Sequence, residues 1–474
     1  MSFGSISFLL FIIAVFLVYW GVPHKYRWVP LLAANTVFYI SFDAKCITVL
    51  IYIIVISYLF GLLISKNLEG KIRKPYFILS LIFTIMPLFL FKYLNFAIYS
   101  VQKVMSFTGI SPDEHTLKLL MPVGISFYTF EAISYICDIK SGKIKAESNI
   151  FKYAIFVSFF PNITSGPIER AGSFIEQINK EKTFSYDMAS YAMRLMLLGM
   201  LKKYVCADLM VKYISNVFDN VIGFSGVVFI IATIMYTFQI YFDFSGYTDM
   251  ARAVAMLLGF ELRENFNKPY FASGIKDFWS RWHISLSNWL RDYIYIPLGG
   301  NRKGKFRKNL NLIITFLVSG LWHGASFTFI VWGLIHGLAQ CVEGLIPYKR
   351  ENGFTVKKVV RVICTFCIVS FAWMFFRANS LAECVYIIKN MFLGGSILGA
   401  FQSMGMTKMS IVKVLVCILF VMIYDFFSRN RDLLKDMSKL PIISRWAIYV
   451  LVTVIVVVIK VHEGTNASFI YFSF

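Results

Sequence analysis

Two histidines in hydrophobic sequence are the side chains whose type and spacing best suit chemistry. His283 stands in WSRWHISLS, and His323, 40 residues later, stands in SGLWHG. Because histidine is the side chain best matched to proton transfer near neutral pH, the pair indicates acid–base chemistry. A metal site is not predicted, since two histidines need two further ligands and no HxxxH or HxxE pattern supplies them.

The sequence around the first histidine predicts a helix. Helical spacing over residues 279–292 places four polar side chains on one face: Arg281, Ser285, Asn288 and Asp292. His283 falls on the neighbouring apolar face together with Trp279. We therefore predict an amphipathic helix with His283 at the seam between its two faces.

The second histidine is predicted to lie where the chain reverses direction. Residues 309–321 would form a helix that rises only about 20 Å, which is short of the ~30 Å hydrocarbon layer. Gly320 and Gly324 then flank Trp322 and His323. His323 is therefore expected within the depth of the membrane.

Two further groups of charged residues interrupt apolar sequence, where each charge costs at least ~2.5 kcal/mol. Glu131 follows a Pro-Val-Gly break, and it suits either a charge that holds helices together or a residue of the site. Asp243, Asp249 and Arg252 surround Gly246, where we expect a break that lets the chain line a cavity. Asp249 and Arg252 are three residues apart, which predicts an internal ion pair.

The composition places these groups in a membrane protein. Of 474 residues, 58% are hydrophobic and 15% are charged, and the mean hydropathy is +0.67. The apolar runs that approach the ~20 residues of a membrane-crossing helix are 5–22, 28–42, 46–64, 75–91, 225–243, 325–346, 357–376, 410–428 and 443–461. Together with shorter stretches they predict an all-α polytopic fold with about eleven transmembrane helices, in a single membrane domain over residues 1–474.

The net charge of +21 comes from short connections between the apolar runs. The cytoplasmic bias of Lys and Arg and the attraction of anionic lipid explain it, so we expect membrane lipid, and no nucleic acid, as a partner. One such connection separates the two histidines and carries Arg302, Lys303, Lys305, Arg307 and Lys308. These basic connections are predicted to be cytoplasmic.

Six motifs together resemble the membrane-bound O-acyltransferase (MBOAT) superfamily, and within it the bacterial alginate O-acetyltransferase type. The motifs are MPVGISFYTFEAISYICDIK, FFPNITSGPIER, QIYFDFSGYTDMA, ENFNKPY, IKDFWSRWHISLSNWLRDYIYIPLGGNR and SGLWHGASFTFIVWGLIHG. They cover residues 121–337, the expected catalytic core, and 357–474 would add C-terminal transmembrane helices. The resemblance implies re-entrant and amphipathic helices around a central tunnel, which a donor enters from the cytoplasm while an acceptor approaches from outside.

The resemblance also implies roles for single residues. His323 matches the near-invariant histidine and would act as general base, while His283 matches the second histidine and would orient the donor or polarise its carbonyl. Candidate substrate-binding residues are Arg281, Asn288, Asp292, Trp322, Arg302 and Lys305. Within this set the asparagine would stabilise the oxyanion, and the basic side chains would meet the donor's phosphates. Candidates for structural or tunnel-lining roles are Asp243, Asp249 and Glu131.

The function that the resemblance implies is transfer of an acetyl group to an extracellular or cell-wall polysaccharide, in the bacterial cytoplasmic membrane. The donor would be the substrate acetyl-CoA or an acyl-carrier thioester, with no permanently bound cofactor. An esterase-like partner outside the membrane would complete the transfer to the polysaccharide. Two alternatives stay open: D-alanyl transfer from a carrier protein towards teichoic acid, and, in another class, transport of an acyl donor or glycan.

Overall fold

The computed structural model describes residues 1, 3–66, 73–108, 117, 119–346 and 355–463. Within these ranges the chain is helical and contains no β-strand, and a single isolated bridge pairs Phe266 with Trp282. The predicted all-α fold is therefore confirmed. The chain divides into two compact units. The prediction of one membrane domain, with a core at 121–337 and further helices in 357–474, stays a prediction, and residues 464–474 lie outside the described ones.

The first unit comprises residues 1–189 and 254–263. Its helices are α1 (Ile6–Gly21), α2 (Trp28–Ile40), α3 (Ile47–Lys66), α4 (Arg73–Leu88), α5 (Leu94–Phe107), α6 (Ile125–Lys140), α7 (Ile150–Ser158) and α8 (Ala171–Asn179). Polar side chains cap several helix starts: Ser5 accepts a hydrogen bond from the backbone N–H of Phe8 at α1, and Asn149 accepts one from that of Phe151 at α7. A π-helical segment, Phe89–Tyr93, joins α4 to α5.

Glu131 is buried in α6 of this unit. Its Oε1 accepts hydrogen bonds from Asn162 Nδ2 at 2.9 Å and from the backbone N–H of Glu169 at 3.0 Å. The carboxylate therefore ties α6 to the segment between α7 and α8. Of the two alternatives that the sequence leaves open, these contacts favour the one in which Glu131 holds elements together.

The second unit comprises residues 190–253 and 264–474. The remaining helices, most of them wholly in this unit, are α9 (Tyr186–Met200), α10 (Asp208–Phe218), α11 (Val227–Leu257), α12 (Ile275–Trp279), α13 (Ile284–Leu290), α14 (Gly304–His323), α15 (Phe327–Glu343), α16 (Val356–Arg377), α17 (Leu381–Asn390), α18 (Ile397–Ser403), α19 (Lys408–Phe427), α20 (Leu433–Asp436) and α21 (Ile442–Glu463). Two π-helical segments interrupt the series: Leu201–Ala207 and Arg291–Tyr295. Short 3-10 turns in the two units are His24–Tyr26, Ala44–Cys46, Val221–Gly223, Pro269–Phe271 and Met437–Lys439.

Six helical segments among the described residues are long and apolar enough to cross a membrane, which confirms a multi-pass membrane protein. They are Ala44–Lys66, Arg73–Ser106, Val227–Leu257, Val356–Arg377, Lys408–Phe427 and Ile442–Val461. Ile6–Gly21 and Phe327–Glu343 are shorter apolar helices. This criterion leaves out the shorter helices among the predicted spans: the 13 residues of α2, for example, rise only about 20 Å. The count of about eleven spans stays a prediction.

Gly246 does not break its helix, because α11 runs without interruption through 31 residues. The predicted break at this glycine is therefore wrong. A Cβ atom at Gly246 would stand 2.7 Å from the carbonyl oxygen of Gly199 in α9, and one at Gly199 would stand 2.7 Å from that of Gly246. The two glycines thus let two helix backbones approach more closely than side chains permit.

The predicted chain reversal is confirmed: α14 and α15 form a helical hairpin, and Gly324 lies in the turn between them. The first helix begins at Gly304, five residues before the predicted residue 309, so its 20 residues rise about 30 Å. Glycines line the seam of the hairpin: a Cβ atom at Gly320 would stand 2.2 Å from the carbonyl oxygen of Phe329, and one at Gly333 would stand 2.3 Å from that of Phe316. The hairpin is therefore packed backbone against backbone.

Gly333→Ala is expected to destabilise the protein by about 3 kcal/mol, because a rigid carbonyl oxygen occupies the place of the new methyl group. Gly21→Ala is the matched control, since nothing lies within 4 Å of a Cβ atom at the end of α1. The thermal unfolding midpoint of the purified protein in detergent measures both. A midpoint for Gly333→Ala at or above the wild-type value would contradict the close packing.

Candidate active site

The two histidines lie beside one another in the second unit. Their ring centroids are 6.3 Å apart, and the rings are inclined by 58°. Both side chains are buried, with 0% of His283 and 2% of His323 exposed. His323 is the last residue of α14, and His283 immediately precedes α13. Residues that are 40 positions apart in sequence therefore meet at one buried place.

His283 is held by backbone pairing with a segment upstream of it. The N–H of Ile284 donates to the carbonyl oxygen of Asn265 at 3.0 Å, and the N–H of Ser285 donates to Asn265 Oδ1 at 3.1 Å. Phe266 forms the isolated bridge with Trp282. His283 takes the left-handed conformation, with φ of 42°, which is rare for a residue with a Cβ atom.

The continuous amphipathic helix predicted over 279–292 is therefore wrong. The structure has α12 ending at Trp279 and α13 beginning at Ile284, with a turn between them. The reason is that the pairing partner at 265–267 takes up backbone groups that a continuous helix would use for itself. The result is that His283 leaves the helix surface and is fixed at a helix start.

Aromatic rings enclose the histidine pair. Trp322 contacts both histidines, with centroid distances of 5.8 Å to His283 and 4.9 Å to His323. Phe244 packs on His283 at 4.8 Å, and Trp332 packs on His323 at 5.1 Å. Burial in these surroundings lowers the pKa of His283 to about 3. His283 is therefore neutral at physiological pH.

A third histidine lies behind this enclosure. His336 in α15 is buried, and its Nδ1 accepts a hydrogen bond from Trp279 Nε1 at 3.3 Å. The centroid of its ring is 5.0 Å from that of Trp332, on which His323 also packs. This hydrogen bond to a neighbouring helix favours a structural role for His336.

A cavity of about 630 Å³ opens at a basic rim and leads towards the histidine pair. Three cations and one carboxylate line its outer end: exposed Lys276 and Arg291, and half-buried Lys308 and Glu343. Buried side chains line the inner end: Trp279, Thr315, Phe316 and Ser319. Ser319 precedes His323 by one turn of α14, and Trp279 packs at 5.7 Å on the Trp332 that contacts His323. The cavity thus joins positive charge at the surface to the neighbourhood of a buried imidazole.

The sequence that forms this site matches that of a known protein family. The family model described as MBOAT, membrane-bound O-acyltransferase family, matches residues 142–385. The chain belongs to the membrane-bound O-acyltransferase family. The resemblance predicted from the six motifs is confirmed, and the protein is a membrane acyltransferase. The matched residues include both histidines and every residue that lines the cavity.

Curated relatives of this acyltransferase carry three different names. It is 36% identical over 398 residues to the Pseudomonas aeruginosa protein named probable alginate O-acetylase AlgI, covering 84% of this chain and 76% of the relative. It is 34% identical to the Helicobacter pylori protein named peptidoglycan O-acetyltransferase, covering 76% and 73%. The Bacillus subtilis protein named teichoic acid D-alanyltransferase is 28% identical, covering 63% and 77%.

The predicted substrate-binding residues of the acyltransferase take different places. Trp322 contacts both histidines. Arg281 Nε pairs with Asp277 Oδ1 at 2.8 Å, and Asp292 pairs with the rim residue Arg291 at 2.9 Å. Outside the set of cavity-lining residues lie half-buried Asn288 and exposed Arg302 and Lys305. Of the predicted basic loop, Lys308 alone lines the cavity.

The polar cavity residues that sequence reasoning missed include Lys276, Arg291, Thr315 and Ser319. Thr315, Ser319 and His323 follow one another at intervals of four, and this spacing on one helix face is a signal that the sequence carries. Lys276 and Arg291 carry no such signal, because the fold alone brings their helices to the cavity.

The predicted tunnel carboxylates of the acyltransferase belong to an ionic network. Lys203 Nζ lies 2.5 Å from Asp243 Oδ1 and 2.8 Å from Asp208 Oδ1, and all three side chains are buried. Lys202 Nζ lies 2.9 Å from Asp249 Oδ2. The predicted pair of Asp249 with Arg252 is present but long, at 4.0 Å. These contacts attach the π-helical segment Leu201–Ala207 to α11.

Metal ligands do not cluster in the part of the chain that the structure describes. No group of three or more His, Cys, Asp or Glu side chains stands close enough together there to hold a metal ion. The eight cysteines are free thiols. The inner end of the cavity is lined by an indole, a phenyl ring and two hydroxyls, and the imidazole of His323 lies one helical turn beyond Ser319.

Proposed function

We propose that this acyltransferase moves an acetyl group from a coenzyme A thioester, or from an acyl-carrier thioester, to a hydroxyl of an extracellular or cell-wall polysaccharide. The observation that carries the proposal is the cavity that runs from a basic rim to within one helical turn of His323. The names of the Pseudomonas and Helicobacter relatives, an alginate O-acetylase and a peptidoglycan O-acetyltransferase, support acetyl as the group and polysaccharide as the acceptor.

In this mechanism His323 is the general base. Its imidazole accepts the proton of the acceptor hydroxyl, and the hydroxyl oxygen attacks the carbonyl carbon of the thioester. The carbon–sulfur bond then breaks, the new ester bond remains, and the imidazolium returns the proton to the leaving sulfur. Neutral His283 orients the donor beside the base, and the aromatic enclosure keeps water from competing with the acceptor.

The basic rim suits the phosphates of the donor. Lys276, Arg291 and Lys308 offer charge-assisted hydrogen bonds, which are stronger than neutral ones. The donor is a substrate that leaves as the free thiol, so the proposal includes no permanently bound cofactor. The rim would face the cytoplasm, in keeping with the charge of the 302–308 connection, and the membrane would be the bacterial cytoplasmic membrane.

The acceptor side needs a partner in this proposal. Because both histidines are buried, the hydroxyl that attacks at His323 would belong to an esterase-like protein outside the membrane, which then passes the acyl group on to the polysaccharide. Copurification from cross-linked cell membranes tests this step. Recovery of the acyltransferase without any such protein would speak against it.

The direct test compares the polysaccharide of cells that carry the chain with that of cells that lack it. Base-labile acetate is expected in the purified polymer from the first cells and at background level in that from the second. Ester-linked D-alanine that depends on the chain, with unchanged acetate, would favour the carrier-protein alternative of the Bacillus relative. Unchanged esters of both kinds would reject acyl transfer and favour a transporter.

Lys308→Glu is expected to raise the KM for acetyl-CoA about tenfold with kcat little changed, because a charge reversed at the rim repels a donor phosphate before the chemical step. Lys305→Glu is the matched control, since Lys305 is exposed on the same helix and does not line the cavity. Initial rates of acetyl transfer at varied acetyl-CoA measure both. Equal changes in the two variants would mean that surface charge in general, and not this cavity, binds the donor.

A further inference from the structure

A serine hydroxyl at the inner end of the cavity lacks a partner. Ser319 lies in α14, lines the cavity and is only 1% exposed. Its Oγ makes no hydrogen bond within the ranges that the structure describes. A buried hydroxyl without a partner costs free energy, so such a group is expected to meet a hydrogen-bonding atom of a ligand.

Thr315 shows what a hydroxyl on this helix face does when it has a structural role. It stands one turn before Ser319 and lines the same cavity. Its Oγ1 donates to the carbonyl oxygen of Asn311 at 2.6 Å, which is the usual bond from a hydroxyl to the preceding helical turn. Ser319 makes no equivalent bond to Thr315. Its hydroxyl is therefore free to point into the cavity.

The position of Ser319 relative to His323 fixes which atom of a ligand it can reach. The two residues are four apart on α14, so their side chains are neighbours on one face, with Cβ atoms about 6 Å apart. A hydroxyl that is deprotonated by His323 attacks a carbonyl carbon about 3 Å away. The carbonyl oxygen of that thioester then falls between the imidazole and the serine.

We propose that the Ser319 hydroxyl donates a hydrogen bond to the carbonyl oxygen of the donor thioester and stabilises the negative charge that develops there. This inference rests on the proposed acetyl transfer. The serine keeps its proton throughout, and no bond to its oxygen forms. It takes the role that the sequence assigned to Asn288, which does not line the cavity. Ser319 is thus a further catalytic residue, because it touches the reacting atoms.

Three variants of the full chain test the inference: Ser319→Ala, Ser319→Thr and, as a control, Ser370→Ala. Ser370 is a buried serine of α16 whose hydroxyl also makes no hydrogen bond within the described residues, and it does not line the cavity. The probe is 14C-acetyl-CoA, and the readout is the initial rate of label transfer to polysaccharide in permeabilised producing cells at matched protein level. Ser319→Ala is expected to lower kcat about 100-fold with KM changed less than about threefold, as removal of one oxyanion donor does. Ser319→Thr keeps the hydroxyl and is expected to regain most of that loss, and Ser370→Ala is expected to stay near the wild type.

The outcomes separate the inference from a defect in folding and from failure of the proposed function. A wild-type kcat in Ser319→Ala, or a loss confined to KM, would overturn the role at the carbonyl oxygen. A loss in Ser319→Ala that Ser319→Thr does not regain, or an equal loss in Ser370→Ala, would show a packing effect and overturn it as well. If the wild type itself transfers no label, the proposed function fails, and this inference fails with it.

Discussion

His323→Gln is expected to lower the rate of acetyl transfer about 1,000-fold. Glutamine nearly keeps the size of the side chain and can still hydrogen-bond, but it cannot accept the proton of the attacking hydroxyl. His323 is the side chain that the cavity approaches through Ser319, and the rings of Trp322 and Trp332 hold it at 4.9 and 5.1 Å. The measurement is base-labile acetate in the polysaccharide, with initial rates of label transfer at matched protein level.

His336→Gln is the control for this variant. His336 is equally buried in the same hairpin, but it lies behind Trp279, to which it is hydrogen-bonded. We expect it to keep transfer within about tenfold of the wild type, because it is not placed to accept the reacting proton. Wild-type ester content in His323→Gln would reject the general base. It would also favour the alternative in which the protein is a transporter.

Lys203→Met is expected to destabilise the acyltransferase by about 3–5 kcal/mol. The lysine lies between Asp243 and Asp208, and its removal leaves two buried carboxylates without their shared cation. Methionine fills most of the space of the lysine stem, so the loss of charge dominates over a loss of packing. The thermal unfolding midpoint in detergent and the yield of monodisperse protein measure the effect.

A second substitution distinguishes charge from packing at this site. Asp243→Asn added to Lys203→Met removes one of the two uncompensated charges and is expected to recover part of the lost stability. Lys439→Met is the surface control, because Lys439 pairs with Asp436 at 2.6 Å in water-exposed surroundings and should leave the midpoint unchanged. A Lys203→Met protein that melts with the wild type would mean that the three groups do not depend on one another.

The sequence predicted the chain reversal at His323 for reasons that hold in the fold. Glycines at 320 and 324 bracket the end of α14, and the chain does reverse there. It could not predict the turn before His283, because that turn depends on backbone pairing with residues 265–267, which leaves no trace in hydrophobic periodicity. The break predicted at Gly246 is wrong for a related reason: the sequence does not distinguish a glycine that breaks a helix from one that lets a neighbouring helix approach closely.

The ion pairs also depend on contacts between residues that are far apart in the sequence. Asp249 and Arg252 were paired because they are neighbours on one helix, whereas the shorter contact comes from Lys202, 47 residues away. Local spacing finds partners on the same element only. The rim of the cavity shows the same limit. Lys276 lies in α12 and Arg291 directly follows α13, and they line one cavity with Lys308 only because the hairpin packs beside them. Charges read in sequence order therefore identified one of the three rim cations.

The π-helical segment Leu201–Ala207 has a consequence for how this chain can vary in evolution. A π turn holds one residue more than an α turn, so it behaves as a single-residue insertion within an otherwise regular helix. The backbone N–H of Asp208 donates here to the carbonyl oxygen of Lys203, five residues earlier. Deleting one residue between them would turn this bond into the four-residue bond of an α-helix, and the helix after it would keep its orientation. Homologous chains should therefore tolerate the loss of one residue in this segment, whereas a deletion elsewhere in the same helix would rotate everything after it by about 100°.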